Sequence, residues 1–189
     1  MKWIFILIFI GALMAKDNLA TQTDNVLVIV KEKPPIPTLP NRTNNWMAVQ
    51  GNDDWEGLSD EQVHKRQLKF DSPEYGIRAG AISLITRALR KNNKPEVSIS
   101  QIFFEEDGWA EDKESYKLDA MSKGFNDTDM IDVMDRDQLK PLINFIATHE
   151  TGIANYVNIK NKSKIIDKGI DMAYDYVLSD KYSLKDLVK

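Results

Sequence analysis

A proline-rich stretch near the amino terminus limits how this chain can fold. Residues 31–40 read KEKPPIPTLP, and four of these ten residues are proline. Proline fixes its own backbone angle and donates no backbone hydrogen bond, so the stretch favours an extended spacer. We therefore predict a flexible, proline-rich linker over residues 17–40, a folded domain over residues 41–178 and a C-terminal tail over residues 179–189. Residues 26–30, VLVIV, are typical of a short strand, but the sequence offers no partner for it.

The first 16 residues have the pattern of an export signal. Lys2 precedes an unbroken apolar run over residues 3–15, and Lys16 follows it. The run is shorter than the roughly 20 residues of a membrane-spanning helix, and its cleavage signal is poor. Two interpretations stay open: a cleaved signal peptide, or a signal anchor that holds the chain to the inner membrane through residues 3–15. Both predict a protein that is exported to the periplasm or anchored in the inner membrane of a bacterium.

The composition excludes several classes of function. The formal net charge of −4 argues against a nucleic-acid binder, which needs a basic face. The chain has no cysteine and only two histidines, and Ile153 stands where the second His of an H-E-x-x-H zinc site would be. The acidic run that begins at Asp127 lacks the glycine and the final glutamate of a calcium loop. We predict no metal site and no cofactor, and we interpret the charged run over residues 103–114 as surface.

The domain is predicted to be mainly α. The clearest helix covers residues 72–93, where Ser72 suits the N-cap, Pro73 the first helical position and Asn93 the end. Further helices are predicted at 97–109, 111–124, 135–150 and 163–178 from apolar residues at helical spacing. Pro141 is assigned to the first turn of its helix, where proline is tolerated. Strand signals after residue 40 are weak.

Two segments are candidates for a functional site, and each has two local interpretations. The aperiodic run NRTNNWMAVQGNDDWEGL, residues 41–58, suits a carbohydrate cleft because it combines Asn side chains with Trp46 and Trp55. It also suits an ordinary turn-rich loop whose Trp side chains pack into the core. Glu150 ends an apolar helix, where it is either a solvated acid or an acid partly shielded from water. In the second case its pKa rises, as a glycan-cleaving acid requires.

Several segments, in this order, resemble a family of phage and prophage proteins. The family has R-N-N-N-P-G-N-I, then W-x-G, then F-x-x-F-x-x-P-x-x-G-I-R-A, and a helix that ends in H-E-N-G. The matching parts of this chain are Arg42, Asn44 and Asn45, then Trp55–Gly57, Phe70 with SPEYGIRA (residues 72–79), and HETG (residues 149–152). The chain departs from the family at residues 46–48, WMA in place of P-G-N, and at Thr151 in place of Asn.

The resemblance implies a lysozyme-like, lytic-transglycosylase-like helical domain with its element order permuted. It implies a peptidoglycan-degrading enzyme, a phage endolysin or a virion-associated lysin, that binds and cleaves glycan strands. Glu150 would be the catalytic acid, and a single acid suits a transglycosylase as well as a muramidase. Substrate-binding candidates are Asn44, Asn45, Trp46, Trp55, Tyr75, Arg78 and Thr151, although Tyr75 and Arg78 also suit a structural role at their helix start.

Two other functions stay open at this point. One is a non-catalytic phage virion structural protein with a lysozyme-like fold. The other is a peptidoglycan endopeptidase, although the chain lacks the metal and nucleophile signatures of such an enzyme. Asp53 and Asp54 are the only acids we consider as a second carboxylate, and nothing in their local sequence supports them.

Overall fold

The computed structural model describes residues 21–23, 26–28, 38–51, 53–106, 108–152 and 161–179. The predicted signal, most of the proline-rich stretch and the C-terminal tail beyond residue 179 lie outside these residues. The chain divides into two units, Met1–Ile36 and Pro37–Lys189. In the first unit, β1 (Thr21–Thr23) pairs antiparallel with β2 (Val26–Val28), with Gln22 opposite Leu27. The predicted linker therefore contains a short hairpin, and the strand predicted at residues 26–30 has a partner.

The second unit is mainly α, as predicted, and its longest helix is α2 (Pro73–Asn92). Ser72 is the N-cap, Pro73 opens the helix, and Asn93 closes it in the left-handed conformation at φ 53°. The Asn93 backbone N–H donates to the Leu89 carbonyl. Buried residues occur on every turn from Gly76 to Leu89, so α2 runs through the domain and is covered on several sides.

Two helices near the C-terminal end pack together and against α2. Helix α5 (Arg136–Thr151) begins at the N-cap Asp135, and α6 covers Lys162–Val177. The assignment of Pro141 to the first turn was wrong, because α5 begins at Arg136 and the proline falls in the second turn. Pro141 is exposed there, and its missing N–H leaves a gap in the hydrogen-bond ladder of the helix.

Short elements complete the domain. Helix α1 (Leu39–Arg42) opens it, and α3 (Ile99–Phe103) starts with a capping box between Ser98 and Gln101. Helix α4 (Lys113–Ser122) is capped by Asp112. Strand β3 (Glu96–Ser98) pairs antiparallel with β4 (Met130–Asp132). This two-stranded sheet was not predicted, because strands of three residues are too short to show an alternating pattern.

The core lies between α2, α3, α5 and α6, and the loop before α2 contributes to it. Its largest fully buried side chains are Phe70, Phe103, Met47, Ile77, Leu84, Ile85, Ile99, Ile102, Leu139, Leu142, Ile143 and Ile146. None of the described helices is long and apolar enough to cross a membrane.

Candidate functional site

A cleft of about 580 Å³ opens on the side of the domain where α5 ends. The loop before α2 contributes residues 48–50 and Gln67, and α2 contributes Ser83 and Arg87. The segment between α3 and α4 contributes residues 108–109 and 111–112. Tyr116 of α4 and residues 149–150 of α5 complete the lining. The volume suits a small ligand or a few sugar units, since ligand sites occupy about 300–1,000 Å³.

The last turn of α5 carries Glu150 into this cleft. Helix α5 ends at Thr151, and its C-cap residue, Gly152, adopts the left-handed conformation with φ 61°. The Thr151 carbonyl accepts hydrogen bonds from Thr38 Oγ1 at 3.1 Å and from Asn41 Nδ2 at 2.9 Å. The start of the domain therefore caps the helix end that bears Glu150 and holds it in place.

Tyr116 is the side chain in closest polar contact with Glu150. Its hydroxyl donates a hydrogen bond to Glu150 Oε1. The tyrosine is only 4% exposed, and its ring packs against Phe103 and Phe145, with centroids 5.3 Å and 6.0 Å away. Burial, and then the negative charge of Glu150, raise the pKa of Tyr116 far above its usual value. Tyr116 therefore keeps its proton and acts as a permanent donor.

The position of Glu150 raises the pKa of its carboxyl group. Burial is the main cause, because removal from water disfavours the charged form. The hydrogen bond from Tyr116 and the charge of His149 act in the opposite direction, while Glu111 adds to the rise. The net result is a carboxyl that holds its proton to a higher pH than an ordinary glutamate, as a general acid requires.

His149 also faces the cleft and is held from two sides. Its Nδ1 lies 2.8 Å from Asp119 Oδ2, and its ring centroid lies 3.9 Å from that of Tyr116. Asp119 and Tyr116 are three residues apart on α4, so they project from the same face of that helix. One face of α4 therefore contacts both of the α5 side chains that line the cleft.

A polar bridge joins two parts of the cleft rim. Glu111 Oε1 accepts from Gln50 Nε2 at 2.8 Å and from Arg66 Nη2 at 2.5 Å. The Arg66 and Glu111 side chains are both 67% exposed, so this ion pair contributes little stability. Opening the bridge therefore costs little free energy.

The Asn-rich loop does not present its predicted side chains to this cleft. Asn45 is fully buried and bonds the backbone at Val49 and Leu68, while Trp46 is 3% exposed within the core. Asn44 adopts a positive φ of 55°, and its carboxamide donates to the Phe70 carbonyl at 3.0 Å. The prediction of Asn45 and Trp46 as cleft walls is corrected, because core packing hides both side chains from a ligand.

The other predicted binding residues also serve the framework. Thr151 is fully buried and donates to the Ala147 carbonyl, so its prediction as a substrate contact is corrected too. Arg78 is buried and pairs with Glu56 at 2.9 Å. The Tyr75 ring lies directly against Gly57, which has a φ of 77°, and Trp55 packs on the edge of the core. None of the described atoms of Trp55, Tyr75 or Arg78 lines the cleft.

The structure instead brings together residues that the sequence did not single out. Trp109, Glu111 and Asp112 come from the charged run that we interpreted as surface, and Tyr116 from a helix with no apparent site. The sequence contains one local indication of these cleft residues, which is the position of Trp109 inside an acidic run. An aromatic ring among charged residues is typical of binding surfaces. Asp53 and Asp54 do not line the cleft, so its other carboxylates are Glu111 and Asp112.

Within the described residues, no group of three His, Asp or Glu side chains is arranged to hold a metal ion. No known protein-family model matches this chain, and no curated protein matches it significantly either. The function is therefore inferred from the chemistry of the cleft and from the motifs in the sequence.

Proposed function

We propose that this protein is a peptidoglycan-degrading enzyme that cleaves the β-1,4 bond between the two amino sugars of the glycan strand. Glu150 is the general acid that protonates the leaving oxygen and then acts as a base. The observation that carries this proposal is the placement of Glu150. It lines a cleft of sugar-sized volume, and burial raises the pKa of its carboxyl group.

Other features of the cleft support a sugar ligand. Trp109 offers an aromatic surface on which a sugar ring can stack, and Gln50 and Gln67 offer amide groups to hydroxyl or N-acetyl groups. The acid at the end of a helix in a mainly α domain supports the lysozyme-like, permuted arrangement that the motifs imply. The apolar amino-terminal segment supports export to the periplasm or anchoring in the inner membrane, where a phage endolysin or virion-associated lysin meets its substrate.

Two chemical routes are consistent with these residues. In a transglycosylase, a hydroxyl of the substrate attacks the sugar carbon, and Glu150 serves as acid and then base. In a muramidase, water attacks with the help of a second carboxylate. Glu111 and Asp112 are the carboxylates that share the cleft with Glu150. The products distinguish the routes, because the first leaves anhydro-sugar ends and the second leaves reducing ends.

The test is zymography of the full chain on purified peptidoglycan, with mass analysis of the soluble products. We expect E150Q to lose about a hundredfold or more in rate, since an amide cannot deliver a proton. E114Q is the matched control, because Glu114 is an exposed glutamate in the first turn of α4 and should leave the rate unchanged.

Each remaining outcome overturns a stated part of the proposal. A wild-type chain that releases nothing supports a non-catalytic virion structural protein. Products that are free peptides support an endopeptidase. An E150Q variant with full activity means that the acid is a different residue.

A further inference from the structure

The contact between α4 and the last turn of α5 contains polar interactions in addition to apolar packing. Two polar side chains of α4 meet two polar side chains of α5: Tyr116 bonds Glu150, and Asp119 pairs with His149. The Tyr116 and His149 rings also touch. Four polar groups therefore form one connected cluster at the edge of the cleft.

We propose that Tyr116 is a positioning residue for the acid: its buried hydroxyl holds Glu150 Oε1, and the Asp119–His149 pair fixes the imidazole against the Tyr116 ring. This inference rests on the proposed role of Glu150 and adds the part of the structure that orients its proton. The described hydrogen bond uses Oε1, so Oε2 is the oxygen that carries the acidic proton towards the substrate.

Tyr116 is suited to this task because it can neither move far nor change its charge. Its ring lies between Phe103 and Phe145, and the Phe145 contact is edge-on with an interplanar angle of 88°. Its hydroxyl stays protonated, since burial raises the tyrosine pKa. A rigid donor of this kind fixes the rotation of the Glu150 carboxyl group. It therefore holds the carboxyl group close to the orientation that proton transfer to the substrate requires.

The same hydrogen bond sets how readily Glu150 gives up its proton. The groups that act on Glu150 come from three places: Tyr116 from α4, His149 from α5 itself, and Glu111 from the segment before α4. Arg87 and Asp112 line the same cleft. As the proton leaves, negative charge grows on the carboxylate, and a charge-assisted bond from Tyr116 becomes stronger. Tyr116 thus favours the ionised product of the proton transfer.

This role of the Tyr116 hydroxyl predicts how the Y116F substitution changes the pKa of Glu150. The bond from Tyr116 favours the charged form of Glu150, so its loss raises the Glu150 pKa above the wild-type value. Glu150 then stays protonated to higher pH but is a poorer proton donor in the reaction. We expect kcat to fall on the order of tenfold, while the alkaline limb of the pH–rate profile moves to higher pH.

The test uses two readouts on the full chain. One is a carbon-13 NMR titration of the glutamate carboxyl groups, in which the Glu150 signal is identified by its loss in E150Q. The other is the pH dependence of kcat on soluble glycan fragments. Y174F is the matched control, because Tyr174 also uses a partly buried hydroxyl, donating to the Val133 carbonyl at 3.1 Å, but lies outside the cleft.

We expect an upward shift of the Glu150 titration in Y116F and none in Y174F. A Glu150 titration unchanged in Y116F would overturn the inference, as would a loss of kcat with no change in the pH profile, since that result indicates packing alone. The NMR titration needs no turnover. An inactive wild type would therefore disprove the proposed function while the titration still decided the Tyr116–Glu150 interaction.

Discussion

The carboxamide of Asn45 holds the loop that forms one side of the cleft. It donates to the carbonyls of Val49 and Leu68 at 2.8 Å and 3.0 Å, and its oxygen accepts from the Val49 N–H at 2.8 Å. Val49 and its neighbours line the cleft, so a buried residue with no ligand contact still decides where that wall stands. An alanine at this position would remove the hydrogen bonds to the Val49 N–H and the Leu68 carbonyl, while the Val49 carbonyl would still accept from the Leu68 N–H at 3.3 Å.

We expect N45A to lower the free energy of unfolding by about 2–4 kcal/mol, because unsatisfied buried polar groups cost about 1–3 kcal/mol each and part of this is regained by relaxation. Urea unfolding followed by circular dichroism measures the change. N144A is the control, since Asn144 is exposed on α5 and its loss should change stability by less than about 0.5 kcal/mol. Equal unfolding midpoints for the two variants would contradict the bracing role of Asn45.

The sequence motif singles out Glu150 as a candidate acid but does not predict its surroundings. The structure shows that Glu150 lines the cleft, and its role as the acid stays a proposal. Tyr116 lies 34 residues away along the chain, and no local pattern indicates that the two side chains meet. Asn45 and Trp46 were misassigned because an Asn- and Trp-containing loop has the same composition whether it binds a sugar or packs into the core.

The close approach of α2 and α6 depends on a single residue without a side chain. A Cβ atom added at Gly169 would lie 2.5 Å from Ile77 Cγ2 and 2.8 Å from the Glu74 carbonyl oxygen. Ile77 is fully buried, and the Glu74 carbonyl belongs to a helix backbone, so neither group can easily move away. The two helices can therefore pack at this distance only with glycine at position 169.

We expect G169A to destabilise the domain by about 1–3 kcal/mol, the usual cost of overpacking a core. The sign of this change in stability is informative, because a Gly to Ala substitution within a helix normally stabilises the protein by up to about 1 kcal/mol. Thermal and urea unfolding both measure the change in stability. K168A, at the exposed neighbouring position, controls for helix propensity. A G169A variant more stable than wild type would show that the helices separate at little cost.

The helices from α2 to α6 were predictable from the sequence, and the short strands of the domain were not. Helices α2, α5 and α6 each cover at least four turns, so their apolar spacing stands out in the sequence. Strands β3 and β4 have three residues each and are stabilised by their pairing with one another, which a local pattern cannot reveal. The start of α5 was predicted correctly, but Pro141 is the sixth residue of the helix and so lies beyond its first turn of about 3.6 residues.

The whole molecule carries a formal net charge of −4. Peptidoglycan is also anionic, because its stem peptides end in free carboxylates. Long-range repulsion between two bodies of like charge slows their encounter, and dissolved salt screens it over a Debye length of about 8 Å at 0.15 M. The proposed enzyme would therefore meet its substrate more easily at moderate ionic strength than in dilute buffer.

We expect the rate of clearing of a sacculus suspension to rise as salt is increased from dilute buffer to about 0.15 M. The control is an oligosaccharide of the glycan strand whose carboxyl groups have been amidated, so that it is uncharged and its cleavage should not accelerate. A sacculus-clearing rate that falls steadily with salt would mean that a local basic surface, and not the net charge, governs the encounter.

The cap on the last turn of α5 has a mechanical consequence. Thr38 and Asn41 bind the carbonyl of Thr151, the residue next to Glu150, at the point where the upstream chain enters the domain. Tension applied to that upstream chain would act first on these two hydrogen bonds and on the helix end that they hold. A pull on the chain before residue 38 would thus be transmitted to the helix end that carries Glu150.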